Sequence, residues 1–300
     1  MQKHALGLLI SIIAVSFASI FILSCQAPPL SIAFYRLFFT TLLLVPLILI
    51  RKKIRDELRT LPRTSLLFMI LIGLILAAHF ALWISSLKMT SVTSSVILVT
   101  AHPILVAPVS FYFLKEKLSW INALGIAISL SGVGVLVIGN YGFAAFGLDT
   151  LEGNILAMLG GVAAGLYILG GRTLRKKVST VTYAFVVYAV GTITLFALCL
   201  ILAAPVSNLA TSDYGIILLM ALISGIFGHT LYNWSLGYIP ASIMSVALLG
   251  EPIGSSLLAY VIPWINQQPS VYTIIGGGII LLGIYLTART LTEPEILENV

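Results

Sequence analysis

Ten stretches of this 300-residue chain are each apolar for about the 20 residues a helix needs to cross a bilayer core. They lie at about 5–24, 30–50, 65–87, 91–114, 119–139, 153–172, 180–202, 214–238, 241–264 and 271–290, and are numbered spans 1 to 10. Hydrocarbon offers no water to backbone N–H and C=O groups, so each stretch must satisfy them internally, as a helix does. Composition agrees. Apolar residues make up 59% and charged residues 9%, against about 25% charged in a soluble domain. The expectation is an all-α membrane protein with ten transmembrane helices. Connections are short, and the longest charged one runs from Arg51 to Arg63. Pro103 and Pro108 interrupt span 4, and Pro252 and Pro263 interrupt span 9, so these two have the least regular pattern.

Lysine and arginine set the orientation. With the N-terminus inside, the inner side receives Lys3, Arg51, Lys52, Lys53, Arg55, Arg59, Arg63, Lys115, Lys117, Arg172, Arg175, Lys176, Lys177 and Arg289. The outer side receives only Lys88, and Arg36 lies within span 2. This is a strong positive-inside bias, and it places both termini in the cytoplasm. Asp149, Glu152 and Asp213 fall outside. The net charge of +6 therefore reflects topology rather than a nucleic-acid partner; the basic loops suit anionic membrane lipid. An alternative reads Lys3, the first apolar run and Leu23-Ser24-Cys25 as a lipoprotein-type signal. A signal core is about 7–15 residues and this run is longer, which favours a retained helix. Two cysteines exclude a disulfide scaffold and a Cys-based zinc site. Cys25 and Cys199 both fall near outer helix ends. A bond between them is geometrically open, and two unpaired cysteines are the simpler expectation.

The spans also contain one module twice. Residues 79–138 read Trp83…Leu87…Ser94-Ser95…His102-Pro103…Gly125…Gly132, and residues 228–288 read Tyr232…Leu236…Ile243-Met244…Glu251-Pro252…Gly276…Gly283. The offset is 149 up to the prolines and 151 at the glycines. Such a period is too long for a solenoid unit and points to a duplicated half. Five spans per half is an odd number, so the second half enters the membrane from the opposite side. The expected architecture is two inverted five-helix repeats, 1–140 (spans 1–5) and 152–290 (spans 6–10), with a cytoplasmic tail at 291–300. Inverted halves can exchange conformations, which suits alternating access.

Motifs in chain order are Phe34-Tyr35-Arg36-Leu37-Phe38, Ala81-Leu82, Thr93-Ser94-Ser95, Pro103 and Leu114-Lys115-Glu116-Lys117-Leu118-Ser119. The second half adds Tyr238-Ile239-Pro240-Ala241-Ser242 and Leu249-Gly250-Glu251-Pro252. With these the chain resembles the drug/metabolite transporter superfamily, in its ten-helix EamA-type branch, over nearly its whole length. The resemblance implies export of amino acids, other metabolites or drugs. One departure is Asn266-Gln267-Gln268-Pro269, where a glutamate usually precedes the last helix. Glu116 is accordingly read as structural.

Five ionisable residues lie inside spans: Arg36, His79, His102, His229 and Glu251. Each costs at least about 2.5 kcal/mol to insert, so each is expected to face a cavity or a partner. His102 and Glu251 fall near the midplane and are repeat mates. His79 and His229 lie within one position of being mates. The three histidines and the acid, four ionisable groups, thus come from spans 3, 4, 8 and 9, between which a substrate path is expected. Glu251 suits a proton or a substrate ammonium; its bland alternative is a pairing with Arg36 or a histidine. His102 could instead satisfy the carbonyl freed by Pro103, and His79 and His229 could simply bond between helices. Arg36 suits a substrate carboxylate, with snorkelling or helix pinning as rivals. His79 and Trp83 share a helical face, as do His229 and Asn233. Tyr232 mates with Trp83. Such a set suits a small organic substrate with an apolar body and a charged head. Tyr35, Tyr112, Trp120 and Trp264 read as interfacial anchors, and Tyr167 fits either role.

Glycine-rich faces complete the reading. Gly161-x3-Gly165, Ser224-x3-Gly228 and Gly276-Gly277-Gly278 allow close helix approach, with spans 5 and 10 as packing or homodimer surfaces. No Walker lysine loop is present, and Gly132-x-Gly134 lies deep in a span. No cofactor, bound metal or enzymatic activity is expected. Two alternatives stay open: three histidines and Glu251 forming an intramembrane metal-dependent enzyme, and a membrane helper that transports nothing. The reading favoured is a secondary transporter of a small metabolite in the cell membrane.

Overall fold

A computed structural model of the protein describes residues 2–90, 92–142, 150–263 and 268–289. Within them, ten helices are long and apolar enough to span: Lys3–Ser24, Pro29–Ile50, Arg63–Ser86, Ser94–Tyr112, Trp120–Gly139, Leu151–Arg175, Thr180–Ile201, Thr211–Leu236, Ala241–Val261 and Val271–Arg289. All ten expected spans are present, with ends shifted by a few residues. Asp149, Trp264, Asn266, Gln267 and the tail 291–300 lie outside the described residues. Helix starts follow local chemistry. Ser119 caps span 5 in a capping box with Asn122, and the Ser179 hydroxyl accepts the Thr182 N–H at the head of span 7. Proline sits in the first turn of span 2, where its missing N–H costs nothing.

Three spans depart from a plain helix. Span 4 is α-helical over Val92–Thr100 and restarts at Pro103–Tyr112. Span 9 runs Ala241–Ala247, tightens to a 3-10 turn at Leu248–Gly250, and restarts at Glu251–Val261. Both restarts put a proline in the first helical turn, because its ring and missing N–H break the ladder there. The two repeat mates are therefore broken at matching points. Span 8, read from sequence as continuous, contains a π-helix at Ala221–Thr230 between α-helical Thr211–Met220 and Leu231–Leu236. Wide π turns are rare and cluster at functional sites. Spans 1 and 2 press against this one. Ser224 Oγ donates to the Ala14 carbonyl at 2.9 Å, and a Cβ on Gly225 would stand 2.3 Å from Thr40 Oγ1.

The glycine faces of spans 5 and 10 close on each other. A Cβ at Gly132 would stand 2.7 Å from the Gly276 carbonyl oxygen, and one at Gly283 would stand 2.5 Å from that of Gly125. Ser129 and Asn122 add hydrogen bonds to the carbonyls of Ile280 and Thr287 at 3.3 and 2.8 Å. These glycines are consumed by packing within the chain, so a homodimer would have to use other faces. Gly161 likewise meets the Leu98 and Val99 carbonyls of span 4 at 2.8 Å. Such contacts supply the close dispersion packing that holds helices together in lipid.

Polar contacts gather at the two ends of the bundle. At the basic end, the charged connection between spans 2 and 3 forms a short helix, Lys52–Thr60. Its Glu57 accepts the Ser179 N–H at 2.7 Å and the hydroxyls of Ser179 and Thr182 at 2.5 and 2.6 Å. Glu116 accepts Arg172 Nε at 2.8 Å and the Ala241 N–H at 3.0 and 2.9 Å, through Oε1 and Oε2 respectively. It joins spans 4 and 5 to spans 6 and 9, which is the structural role expected of it. Arg172, counted among the inner-side cations at the end of span 6, is buried. At the opposite end the Gln26 N–H donates to Asp213 and Tyr35 donates to the Val206 carbonyl. Cys25 and Cys199 are both buried and free. Trp120 and Tyr112 are largely exposed, as interfacial anchors are.

Candidate functional site

Where spans 4 and 9 are broken, a cavity opens between the two halves. About 600 Å³ of space there is free of protein atoms. Span 2 contributes Arg36, span 3 His79 and Trp83, span 4 Thr100 and His102, span 6 Tyr167, span 8 His229 and Tyr232, and span 9 Glu251. Val15, Ala18, Val99, Ala164, Ile168 and Leu248 give it apolar walls. That space includes open solvent, and its mix of apolar wall and few polar groups suits a small organic molecule. All five intramembrane ionisable residues, with Trp83 and Tyr232, therefore converge on one space.

Asn233 does not join them. It is fully buried behind the cavity, and its Nδ2 donates to Tyr167 Oη at 2.6 Å and Tyr188 Oη at 3.0 Å. The shared face expected for His229 and Asn233 assumed a regular helix through span 8. His229 lies inside the π segment Ala221–Thr230 and Asn233 in the α-helix after it, so the turn between them differs from that of a regular helix. Asn233 instead holds Tyr167, which resolves the open role of that tyrosine: it lines the cavity. Tyr188, Phe80 and the π turn went unnoticed in the sequence. A tyrosine or phenylalanine in an apolar run carries no local mark of what it touches.

Arg36 is 1% exposed, which rules out snorkelling. Its guanidinium carbon lies 4.4 Å from the centre of the Phe80 ring and 5.8 Å from that of Trp83. Neither terminal nitrogen has a hydrogen-bond partner. Among the described residues the one ion pair within 4.0 Å is Arg172–Glu116, so Arg36 and Glu251 share the cavity without pairing directly. Trp83 Nε1, Tyr232 Oη and His102 Nδ1 are also buried and unpartnered. An unpaired buried donor is costly, so a cluster of them around one cavity is informative.

The histidines divide by their contacts. His79 Nδ1 lies 2.9 Å from the Gly160 carbonyl of span 6, so Nδ1 carries hydrogen and Nε2 is left as an acceptor when the ring is neutral. Its ring stacks on Trp83 at 5.8 Å and 11°, the contact expected of an i, i+4 pair. His79 thus both bonds between helices and lines the cavity. His229 meets Phe80 edge-on at 5.3 Å. Among the described residues, no group of three or more His, Cys, Asp or Glu is placed to hold a metal ion.

The comparisons agree with this architecture. A crystal structure aligns with 96% of the chain and 97% of its own length at TM-score 0.77 and 20% identity, which shows the fold. An uncharacterized transporter of Archaeoglobus fulgidus is 28% identical over 263 residues, covering 87% of this chain and 89% of its own. The uncharacterized transporter YyaM of Bacillus subtilis is 24% identical over 220 residues, 72% of this chain and 70% of its own. The model of the EamA-like transporter family matches at residues 3–138 and again at 151–289, once in each half. Ten apolar helices, a cavity between them and this doubled match make the chain a multi-pass transporter of the cell membrane that belongs to the EamA-like family.

Proposed function

We propose that the chain is a secondary transporter that exports a small metabolite by alternating access, with amino acids as first candidates from the family resemblance. The two halves rock about the cavity as inverted repeats. Glu251 faces the ammonium of a substrate that has one and otherwise carries a proton that couples flux to the pH gradient. The observation that carries this reading is the convergence of ionisable residues from both halves at the paired breaks of spans 4 and 9. Discontinuous helices at matched repeat positions are where transporters of this general design place substrate. The basic loops orient the Glu57 and Glu116 contacts toward the cytoplasm.

Purified protein in proteoliposomes tests the reading. Flux of a candidate metabolite from liposomes holding this chain alone supports a transporter rather than a helper. Filling the cavity with Ala164→Trp is expected to abolish that flux. Glu251→Gln is expected to uncouple flux from an imposed pH gradient while leaving exchange down a substrate gradient. Undiminished coupling in that variant ends the proton proposal.

A further inference from the structure

The polar groups of the cavity are not balanced between donors and acceptors. Four buried donor atoms there have no partner, both terminal nitrogens of Arg36, Trp83 Nε1 and Tyr232 Oη, and a fifth unpartnered atom, His102 Nδ1, donates or accepts according to its tautomer. Glu251 is the one acid that lines the cavity. A guanidinium presents two N–H groups in a fixed fork that matches the two oxygens of a carboxylate. Phe80 and Trp83 pack against Arg36, so the fork is held rather than free to swing. We propose that Arg36, helped by Trp83 and Tyr232, binds a carboxylate on the substrate, and that Glu251 balances whatever charge accompanies that carboxylate. This rests on the cavity being the transport site.

Arg36 and Glu251 are both buried, so the charges around them have to balance. A simple carboxylate on Arg36, with Glu251 ionised, places two negative groups against one positive. Low dielectric makes that excess expensive. A proton taken from solution onto Glu251 cancels it. An α-amino acid brings its own ammonium, which Glu251 can face in its ionised form, and no proton is needed. The other titratable groups lining the cavity are His79, His102, His229, Tyr167 and Tyr232. Span 1 approaches the broken part of span 9 at Ile12 and Ser16, and span 10 approaches it at Ile284. The proton stoichiometry is therefore set by the net charge of the substrate.

Matched ligands test this on the unaltered protein. For skeletons of three to nine carbons, the acid, its amide, its amine and its α-amino acid are titrated in nanodiscs, with proton uptake read by a dye in weak buffer. 4-Methylpentanoate and leucine form one such set; 3-phenylpropanoate and phenylalanine form another. Acid and amino acid are expected to bind at least about thirtyfold more tightly than the amide, the loss usual when a buried charge pair forfeits one partner. The acid is expected to take up close to one proton and the amino acid none. Arg36→Gln should remove the preference for acid over amide. Glu251→Gln should keep acid binding but silence its proton uptake. Equal binding of acid and amide, or equal proton uptake by acid and amino acid, overturns the assignment while leaving the transport reading standing. No binding across the whole panel also overturns the assignment, while the flux measurement in proteoliposomes decides the transport reading separately.

Discussion

Replacing Glu116 by alanine is expected to destabilise the fold by about 3 kcal/mol or more. The carboxylate and Arg172 side chains are only 4% and 7% exposed. Removing the carboxylate takes away the 2.8 Å contact with Arg172 Nε and the acceptor of the Ala241 N–H. A buried guanidinium loses its counter-charge, and the head of span 9 loses its cap. Loss of one partner of a buried ion pair costs about 3–5 kcal/mol. Arg172 Nη1 keeps the Leu236 and Gly237 carbonyls at 3.0 Å, which holds the cost toward the lower end. Glu116→Gln keeps an acceptor but not the charge. Charge-assisted bonds are roughly twice as strong as neutral ones, so the amide should cost about half as much. A cycle with Arg172→Met isolates the pair, with a coupling of about 1.5–3 kcal/mol. Steric-trap unfolding in bicelles measures all four proteins. An alanine variant within about 0.5 kcal/mol of the parent, or a cycle without coupling, would refute the clamp.

Other outcomes follow from the same contacts. Gly283→Leu forces side-chain volume into a seam whose backbones already touch, costing about 1–3 kcal/mol or more, seen as loss of monodisperse protein on size exclusion. Gly134→Leu, at a glycine with nothing within 4 Å, should be tolerated. Burial pushes the Glu57 carboxyl up, but hydrogen bonds from Ser179 and Thr182 outweigh it and hold the group below the ordinary glutamate value of 4.5. A lowered folded value contributes stability above 4.5 that is lost as pH falls through the lower folded value. Melting curves should therefore fall below that pH, and Glu57→Gln should flatten the fall. Asn233→Leu removes the amide donor of the Tyr167 and Tyr188 hydroxyls, of which Tyr188 keeps Thr230 Oγ1 at 3.3 Å. It should cost about 1–3 kcal/mol and weaken substrate binding without moving proton uptake, since Asn233 does not line the cavity.

How much of the site was legible depended on what kind of signal each residue carries. Arg36, His79, His102, His229 and Glu251 announce themselves because a polar group in an apolar run needs a reason to be there. Pro103 and Pro252 mark the breaks by covalent geometry alone. Asn233 misled because its spacing from His229 implied a shared face. That inference requires about 100° of turn per residue, and the π segment Ala221–Thr230 alters the count just ahead of it. Tyr167 stayed ambiguous and Phe80 went unnoticed because aromatic side chains suit lipid, packing and ligand equally well.

The amino-acid sequence by itself determined the class of the protein, the number and approximate place of its spans, the doubled module and the polar residues inside it. These depend on local hydropathy, on proline and glycine positions and on the cost of charge in hydrocarbon. Each is a property of a short window. The tertiary structure alone decided which partners those residues meet. It paired the glycines of spans 5 and 10 with each other, set Glu116 between Arg172 and Ala241, left Arg36 unpaired and turned Asn233 away from the cavity. Those outcomes turn on how each helix is rotated about its axis when all ten pack together. A helix in lipid is nearly as apolar on one face as on another, so only close packing and buried hydrogen bonds choose the rotation.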